Sequence, residues 1–213
     1  MKKSLLAVLF LVFIRIFSQD IPAQNQGLVK DPFFNNQNPQ EQSGKKVQHK
    51  HSDTFGVSPD KYDGNPVFSG NVVFEQQGSV LTSEEVVWYQ KENFLKAIGN
   101  VVLTSADGSR ITAAEMEYDG ITQRGIARKN VVLTDPKQTI KTETLYYDKI
   151  PNTAYFNTGG TIYSNDGSVM YTKSATYNLN SKMIDFVGRS NIETDKYTIV
   201  SDNIKQNQNT GVS

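Results

Sequence analysis

A unit of about thirty residues repeats along most of this 213-residue chain, and it constrains the fold more than any other feature. Three positions recur with this period: an Asn or Gly that opens the unit, an apolar residue in its middle and an aromatic that closes it. The closing aromatics are 30, 29 and 30 residues apart. Such repeats stack, because each unit buries its apolar face against the next. The three ladders are Asn71, Asn100, Asn130, Gly160 and Asn191; Leu81, Ile111, Ile140, Met170 and Ile199; and Trp88, Tyr118, Tyr147 and Tyr177.

Each unit has the pattern of β-strands separated by turns. β-branched residues follow the opening Asn, as in the run NVV at 100–102, and a Gly-Ser pair such as Gly108-Ser109 marks the next turn. A longer strand follows, such as ITAAEMEY at 111–118, and it ends at a polar turn, Asp119-Gly120. Helical periodicity is absent from this region. The repeats therefore predict an all-β fold.

The spacing of the apolar residues within a unit predicts how these strands bend. Leu81 and Val86 are five residues apart, whereas Val86 and Trp88 are two apart. Because side chains alternate between the faces of a strand, an odd separation cannot keep both ladders on one face of a straight strand. Either both faces are covered, or a bulge or corner near residues 83–85 and their equivalents carries the chain between two sheets. The small or polar residues there favour the corner, with two facing sheets around an apolar interior.

Composition excludes several classes of function. Lys plus Arg and Asp plus Glu both number 22, so the chain lacks the excess of positive charge that nucleic-acid binding requires. The absence of cysteine excludes disulfides, thiolate metal sites, a cysteine nucleophile and a lipoprotein anchor. The two histidines, His49 and His51, lie outside the repeats and are expected to be solvated linker residues rather than metal ligands. We therefore expect no enzyme, no cofactor and no metal.

The N-terminal third divides into two regions. Two lysines at positions 2–3 precede an apolar run over 5–14, which is too short for a membrane span of about 20 residues and typical of a secretion signal. We predict a signal peptide at 1–19, with an uncleaved anchor as the alternative. Residues 20–62 are rich in Gln, Asn and Pro and predict a disordered polar tether. The repeat domain covers 63–213 and is expected to be incomplete at its C-terminus, because Gln206 replaces a closing aromatic.

The repeat motif resembles a known family. The run GNVVL at 99–103, the strand ITAAEMEY at 111–118 and the run GIA at 125–127 together resemble the OstA/LptA-like domain of the lipopolysaccharide transport machinery. The resemblance covers residues 66–207. The runs GGTIY at 159–163 and DPKQTI at 135–140 are similar to the OstA-like proteins of Bacteroidetes.

This resemblance implies an open β-jelly roll whose apolar interior carries the acyl chains of lipopolysaccharide across the periplasm towards the outer membrane. It also implies partners, either other Lpt-type jelly-roll domains or a second copy, joined end to end by strand addition. The family contributes no catalytic residues. The candidates for lining a lipid groove are the apolar ladder residues Val72, Phe74, Leu81, Val86, Trp88, Val101, Leu103, Ile111, Met116, Tyr118, Val131, Leu133, Ile140, Leu145, Tyr147, Ile162, Met170 and Tyr177.

Two other readings remain open from the residues alone. The first is a structural β-solenoid surface protein or adhesin, in which the same apolar ladders are ordinary core. The second is a β-solenoid enzyme that processes polysaccharides, which should stack acidic and basic residues on neighbouring units. The aligned positions Arg110, Thr139, Val169 and Thr198 show no such ladder, which makes the enzyme the weakest reading.

Overall fold

The computed structural model describes residues 28–35, 46–57 and 62–210. The predicted signal peptide lies outside these ranges. Within them the chain is almost entirely β-strand, with two short 3-10 turns at Pro32–Phe34 and Tyr62–Gly64. The strands are β1 (Gln48–His51), β2 (Thr54–Val57), β3 (Pro66–Gln76), β4 (Ser79–Tyr89), β5 (Phe94–Thr104), β6 (Arg110–Asp119), β7 (Arg124–Thr134), β8 (Gln138–Asp148), β9 (Thr153–Phe156), β10 (Gly160–Ser164), β11 (Val169–Asn178), β12 (Met183–Glu193) and β13 (Thr198–Asn207).

All of these strands belong to one antiparallel sheet in which sequence neighbours pair with each other. Two of the sheet positions are shared by a pair of short strands. β9 and β10 both lie between β8 and β11, and β1 and β2 both pair with β3. Part of the stretch 20–62, predicted as a tether, is therefore structured, since β1 and β2 lie within it.

A one-residue bulge interrupts the sheet at the same place in successive units. The pairs Ser69↔Glu85 and Val72↔Ser83 enclose two residues of β3 against one of β4. Equivalent bulges occur at 99–100 in β5 and at 129–130 in β7. Both bulge residues have positive φ in these strands, which explains the recurrent Gly and Asn. The predicted corner at 83–85 is confirmed. The extra residues of the bulge, Gly70 and Asn71, lie opposite it on the neighbouring strand β3.

The sheet folds over on itself along this line of bulges. Tyr118 lies at one end of β6, and Gln76 lies at the opposite end of β3, nine residues away along the strand direction. A flat sheet would separate these positions by about 30 Å along the strands, at about 3.3 Å per residue. Instead, the Tyr118 hydroxyl donates a hydrogen bond of 2.6 Å to Gln76 Oε1. The half-strands on either side of the bulges therefore form two facing layers.

The main core lies between the two layers, and a smaller one lies outside them. The interior cluster draws on both half-strands of every unit, from Phe68 to Ile204. On the outer face of the second half-strands, Phe34 packs with Val87, Phe94 and Ile126 in a separate cluster. Both explanations of the odd residue spacing therefore apply. The corner occurs in successive units, and the outer face is covered where Phe34 packs on it. The predicted fold class, all-β with antiparallel sheets rolled from thirty-residue units into an open jelly roll, is confirmed.

The bulge glycines predict a measurable difference between two glycine substitutions. Gly99 has φ of +81°, and a Cβ there would collide with the Glu84 side chain down to its Cβ, at 2.9 Å, whereas Gly108 has φ of +85° with nothing within 4 Å. We expect Gly99→Ala to lower the free energy of unfolding by about 2–3 kcal/mol and Gly108→Ala by about 1 kcal/mol. Urea titration of both variants measures the difference, and equal losses would contradict a sterically crowded bulge.

Candidate functional site: an apolar interior closed by a polar seam

The structure brings all of the predicted groove residues into the single interior cluster. Every one of them is buried except Trp88, which is half-buried and packs against the others. The two layers meet through aromatic contacts at one end, where the Phe74 ring lies edge-on to Trp88 at 5.4 Å between centroids. The interior is thus continuous and apolar from the first unit to the last.

The interior is closely packed. Between Phe74, Leu81 and Leu103 the free space amounts to about 10 Å³, enough for about one water molecule. A larger apolar guest such as an acyl chain therefore fits only if the two layers move apart. Entry of such a guest therefore depends on where the two layers are joined and how strongly.

Two rows of turns close the interior on the side opposite the bulges. Row I consists of the turns at 77–78, 105–109, 135–137 and 165–168, and row II of the turns at 90–93, 120–123, 149–152 and 179–182. Row II is held together by backbone hydrogen bonds between successive turns, such as Gly120 N–H to Asn93 O at 2.8 Å and Lys149 N–H to Gln123 O at 3.0 Å. The line along which the two rows meet is called the seam below.

Tyrosines of the closing ladder cross the seam at regular intervals. Each reaches the residue that lies 42 positions earlier in the chain. Tyr118 donates to Gln76, and Tyr177 donates to the carboxylate of Asp135. The Tyr147 hydroxyl lies 3.4 Å from that of Ser105. The sequence placed these tyrosines among the groove-lining candidates and did not predict their polar partners, although a polar residue stands 42 positions before each of them.

Further polar contacts reinforce the seam between these tyrosines. Gln76 Nε2 donates to Gly120 O at 2.8 Å, and Lys149 Nζ donates to Gln76 O at 3.2 Å. Asn152 Nδ2 donates to Asp107 Oδ2 at 3.1 Å. The candidate site therefore consists of an apolar interior with a hydrogen-bonded polar closure, and hydrogen bonds of this kind can exchange for water.

The family model for OstA-like proteins matches residues 44–202 of the chain. The chain belongs to the OstA-like family. The resemblance to the OstA/LptA-like domain is thereby confirmed. Among solved structures, the chain is similar to LptH of Pseudomonas aeruginosa, which is described as the LptA-homologous periplasmic component of the lipopolysaccharide transport device. The two sequences are 14% identical, and the match covers 70% of this chain and 86% of that chain with a TM-score of 0.29. No curated protein matches the chain.

In this OstA-like chain the strongest polar cluster of the seam is centred on Asp135. Its side chain is 1% exposed. The carboxylate accepts hydrogen bonds from Lys182 Nζ at 2.9 Å, from Tyr177, and from the backbone N–H groups of Lys137 and Gln138 at 2.8 and 3.0 Å. A buried carboxylate is costly unless it is paired and hydrogen-bonded in this way. Asp135 therefore ties row I to row II only while its partners are in place.

Burial raises the pKa of the seam tyrosines. Desolvation is the main cause for Tyr118 and Tyr147, and for Tyr177 the bond to Asp135 adds to it. Burial also lowers the pKa of Lys149, because the ammonium is partly withdrawn from water. Charge on any of these groups is therefore disfavoured where the two rows of turns are closed.

The raised tyrosine pKa values predict that the protein loses stability in alkali. A group whose pKa is higher in the folded state contributes stability that is complete below its unfolded pKa, near 10, and is lost as the pH rises above it. The lowered pKa of Lys149 acts in the opposite direction over the same range. In urea titrations between pH 9 and pH 11, Tyr118→Phe should flatten the decline by up to about 1.4 kcal/mol per pH unit. The matched control is Tyr163→Phe, whose ring is 40% exposed on the outer surface; an unchanged slope for Tyr118→Phe would contradict the prediction.

The described ranges contain neither a group of three or more His, Asp or Glu side chains placed to hold a metal ion nor a helix long and apolar enough to cross a membrane.

Proposed function

We propose that this OstA-like protein binds lipopolysaccharide with its acyl chains between the two layers and shields them from water during export through the periplasm to the outer membrane. The observation that carries the proposal is the continuous apolar interior closed by a polar seam, in a chain of the OstA-like family. The role is that of a carrier and involves no catalysis.

The magnitudes favour such a role. Each buried methylene is worth about 0.8 kcal/mol, so one twelve-carbon chain transferred from water gains on the order of 10 kcal/mol. A seam hydrogen bond contributes about 0.5–1.5 kcal/mol net, since water replaces the partner that is lost. Separating the tyrosine contacts at Tyr118, Tyr147 and Tyr177 would thus cost about 2–5 kcal/mol. The transfer of one acyl chain outweighs these three contacts, and the lipid would also have to replace the apolar contacts and the Asp135–Lys182 pair that separation of the layers breaks.

We place the loading route at the seam, for a chemical reason. The headgroup of an amphiphile stays in water while its chains enter the interior, and the seam is the border between the two environments along the whole stack. The line of bulges on the opposite side would act as the hinge. Its residues, including Gly70 and Gly99, already have the positive φ of flexible turn positions.

Partners of the same architecture would extend the path. The interior of one domain spans eleven sheet positions at about 4.8 Å each, or about 50 Å. Strand addition by another Lpt-type jelly-roll domain, or by a second copy, at the edge of the stack would lengthen the apolar interior without a break. In such an assembly the bound lipid would remain shielded over a longer distance.

Photo-methionine labelling tests the proposal in the full chain. Met116 and Met170 are 2% and 0% exposed in the interior, and a diazirine analogue of methionine conserves their size. Irradiation of the labelled protein with lipopolysaccharide should give lipid adducts on the peptides that contain positions 116 and 170. The Met116→Leu/Met170→Leu variant is the control and should lose those adducts. Absence of lipid adducts at both positions, under conditions in which lipopolysaccharide co-purifies with the protein, would contradict an interior site.

A further inference from the structure

Residues 28–35 pack across the outer face of the sheet, away from the interior. This segment is called the strap, and the surface beneath it, formed by Val87, Tyr89, Phe94, Ile126 and Tyr146, is called the socket. Phe34 is 3% exposed and lies edge-on to Phe94, with 5.1 Å between ring centroids. The neighbouring ring, Phe33, lies edge-on to Tyr146 at the same distance. Two adjacent aromatics thus fill an apolar surface that strands β4, β5, β7 and β8 supply.

Charged groups bind the strap on both sides of its aromatics. Lys30 Nζ lies 2.7 Å from Asp119 Oδ2, and Asp31 Oδ2 lies 3.2 Å from Arg128. Arg124 donates to Phe33 O at 3.1 Å, and its guanidinium lies 5.3 Å from the Phe33 ring centroid. Each charge of the strap therefore meets the opposite charge on the sheet, which fixes the direction and register of the strap.

The strap is shaped for this surface by its own sequence. Asp31 Oδ1 accepts a hydrogen bond from the backbone N–H of Phe33 at 2.9 Å, and Pro32 opens the 3-10 turn. This turn presents Phe33 and Phe34 with little backbone freedom left to lose. Preorganisation of this kind strengthens binding, because less entropy is lost on docking.

The socket is not a by-product of the repeat. Tyr89 occupies the position that Asp119, Asp148 and Asn178 hold in the other units. Phe94 occupies the outer-face position that Arg124 holds in the next unit. Ile126 occupies the outer-face position that Lys96 holds in the preceding unit. At these positions apolar residues under the strap replace polar residues of the neighbouring units. The sequence thus encodes a receptor surface together with its ligand.

We propose that the socket is a peptide-binding site for the motif Lys-Asp-Pro-Phe-Phe, held in cis by the strap and open to the same segment of a second copy of this chain. The strap ends at residue 35 and Val47 is buried in the interior cluster, so the ten residues at 36–45 could reach about 33 Å when extended. The strap can therefore leave its own socket and reach another without displacing β1. In cis the strap has an effective concentration near millimolar, so a competing peptide is excluded until the strap is weakened.

A labelled synthetic peptide of residues 28–35 tests this site by fluorescence anisotropy. The receptor is the full chain with Phe33→Ala/Phe34→Ala, which weakens the strap and leaves the interior cluster unaltered. We expect the peptide to bind this variant at least 100-fold more tightly than it binds the wild-type chain. A peptide with both phenylalanines replaced by alanine is the control and should not bind. Equal affinity for variant and wild type, or no binding to a variant that retains its circular dichroism spectrum, would overturn the proposal.

A charge reversal tests the register independently of the aromatic residues. Adding Arg128→Asp to the same receptor should weaken binding of the wild-type peptide at least tenfold, and a peptide carrying Asp31→Arg should recover it. Failure of that recovery would overturn the register. The full chain with Asp31→Arg provides a second receptor if the alanine variant aggregates, because charge repulsion from Arg128 weakens its own strap. Reciprocal exchange between copies then predicts that wild-type protein at high concentration forms a dimer that the free peptide dissociates, and a monomer at all concentrations would overturn the exchange.

Discussion

Linking the two rows of turns across the seam is expected to abolish lipid loading. Asp107 and Asn152 face each other from row I and row II, with 3.1 Å between Oδ2 and Nδ2. The chain has no cysteine, so Asp107→Cys/Asn152→Cys introduces the only two thiols. A short cleavable bis-maleimide between them would prevent the layers from separating. We expect the linked protein to bind lipopolysaccharide at least tenfold more weakly than before linkage, and reductive cleavage of the linker to restore binding.

The matched control places the same linker where no opening is proposed. Asp185 and Lys205 form an exposed ion pair between the adjacent strands β12 and β13, outside both the seam and the bulges. Linking Asp185→Cys/Lys205→Cys should leave lipid binding unchanged. If the protein linked at 107 and 152 bound lipid as well as its cleaved form, loading across the seam would be contradicted.

Lys182→Met is expected to be the most destabilising single substitution at the seam. It removes the cation that lies 2.9 Å from the buried Asp135 carboxylate and leaves that charge with neutral partners only. Breaking one side of a buried ion pair typically costs about 3–5 kcal/mol, because the remaining charge stays buried without compensation. Urea titration at neutral pH measures the loss of free energy of unfolding.

The double variant Asp135→Asn/Lys182→Met separates this cause from a general loss of packing. An uncharged amide at position 135 can still accept the backbone hydrogen bonds of Lys137 and Gln138 through Oδ1, and its Nδ2, which takes the place of the other carboxylate oxygen, can donate to the Tyr177 hydroxyl. We expect the double variant to regain at least half of the stability lost by Lys182→Met alone. A double variant less stable than the single one would show that the cost does not arise from the unpaired carboxylate.

Sequence alone predicted the features of the fold that depend on backbone periodicity. The odd separation of Leu81 and Val86 located the corner, because the side-chain alternation of a strand permits few alternatives. The same ladders predicted which residues meet in the interior. Met116 and Met170 are buried because they stand at apolar positions of the repeat, and that pattern can be read from the local sequence.

The polar seam and the strap could not be predicted in the same way. The bond from Tyr118 to Gln76 joins residues 42 positions apart that lie at opposite ends of the strand direction, and it exists only because the sheet folds over. The strap lies in a stretch whose overall composition indicates disorder, and two aromatics with flanking charges suffice to dock it. Such contacts depend on three-dimensional placement rather than on period, so the predicted tether at 20–62 did not anticipate β1 and β2.

Site-specific photo-crosslinking at Leu103 and Val102 tests the interior site most directly. These adjacent residues of β5 point to opposite faces, Leu103 into the interior and Val102 towards the outer surface. A photoreactive side chain of leucine size at each position, in the full chain within cells, differs only in the face that it samples. The account predicts lipopolysaccharide adducts at position 103 and none at position 102. Equal adducts at both positions, or adducts at 102 alone, would contradict an acyl-chain site between the two layers.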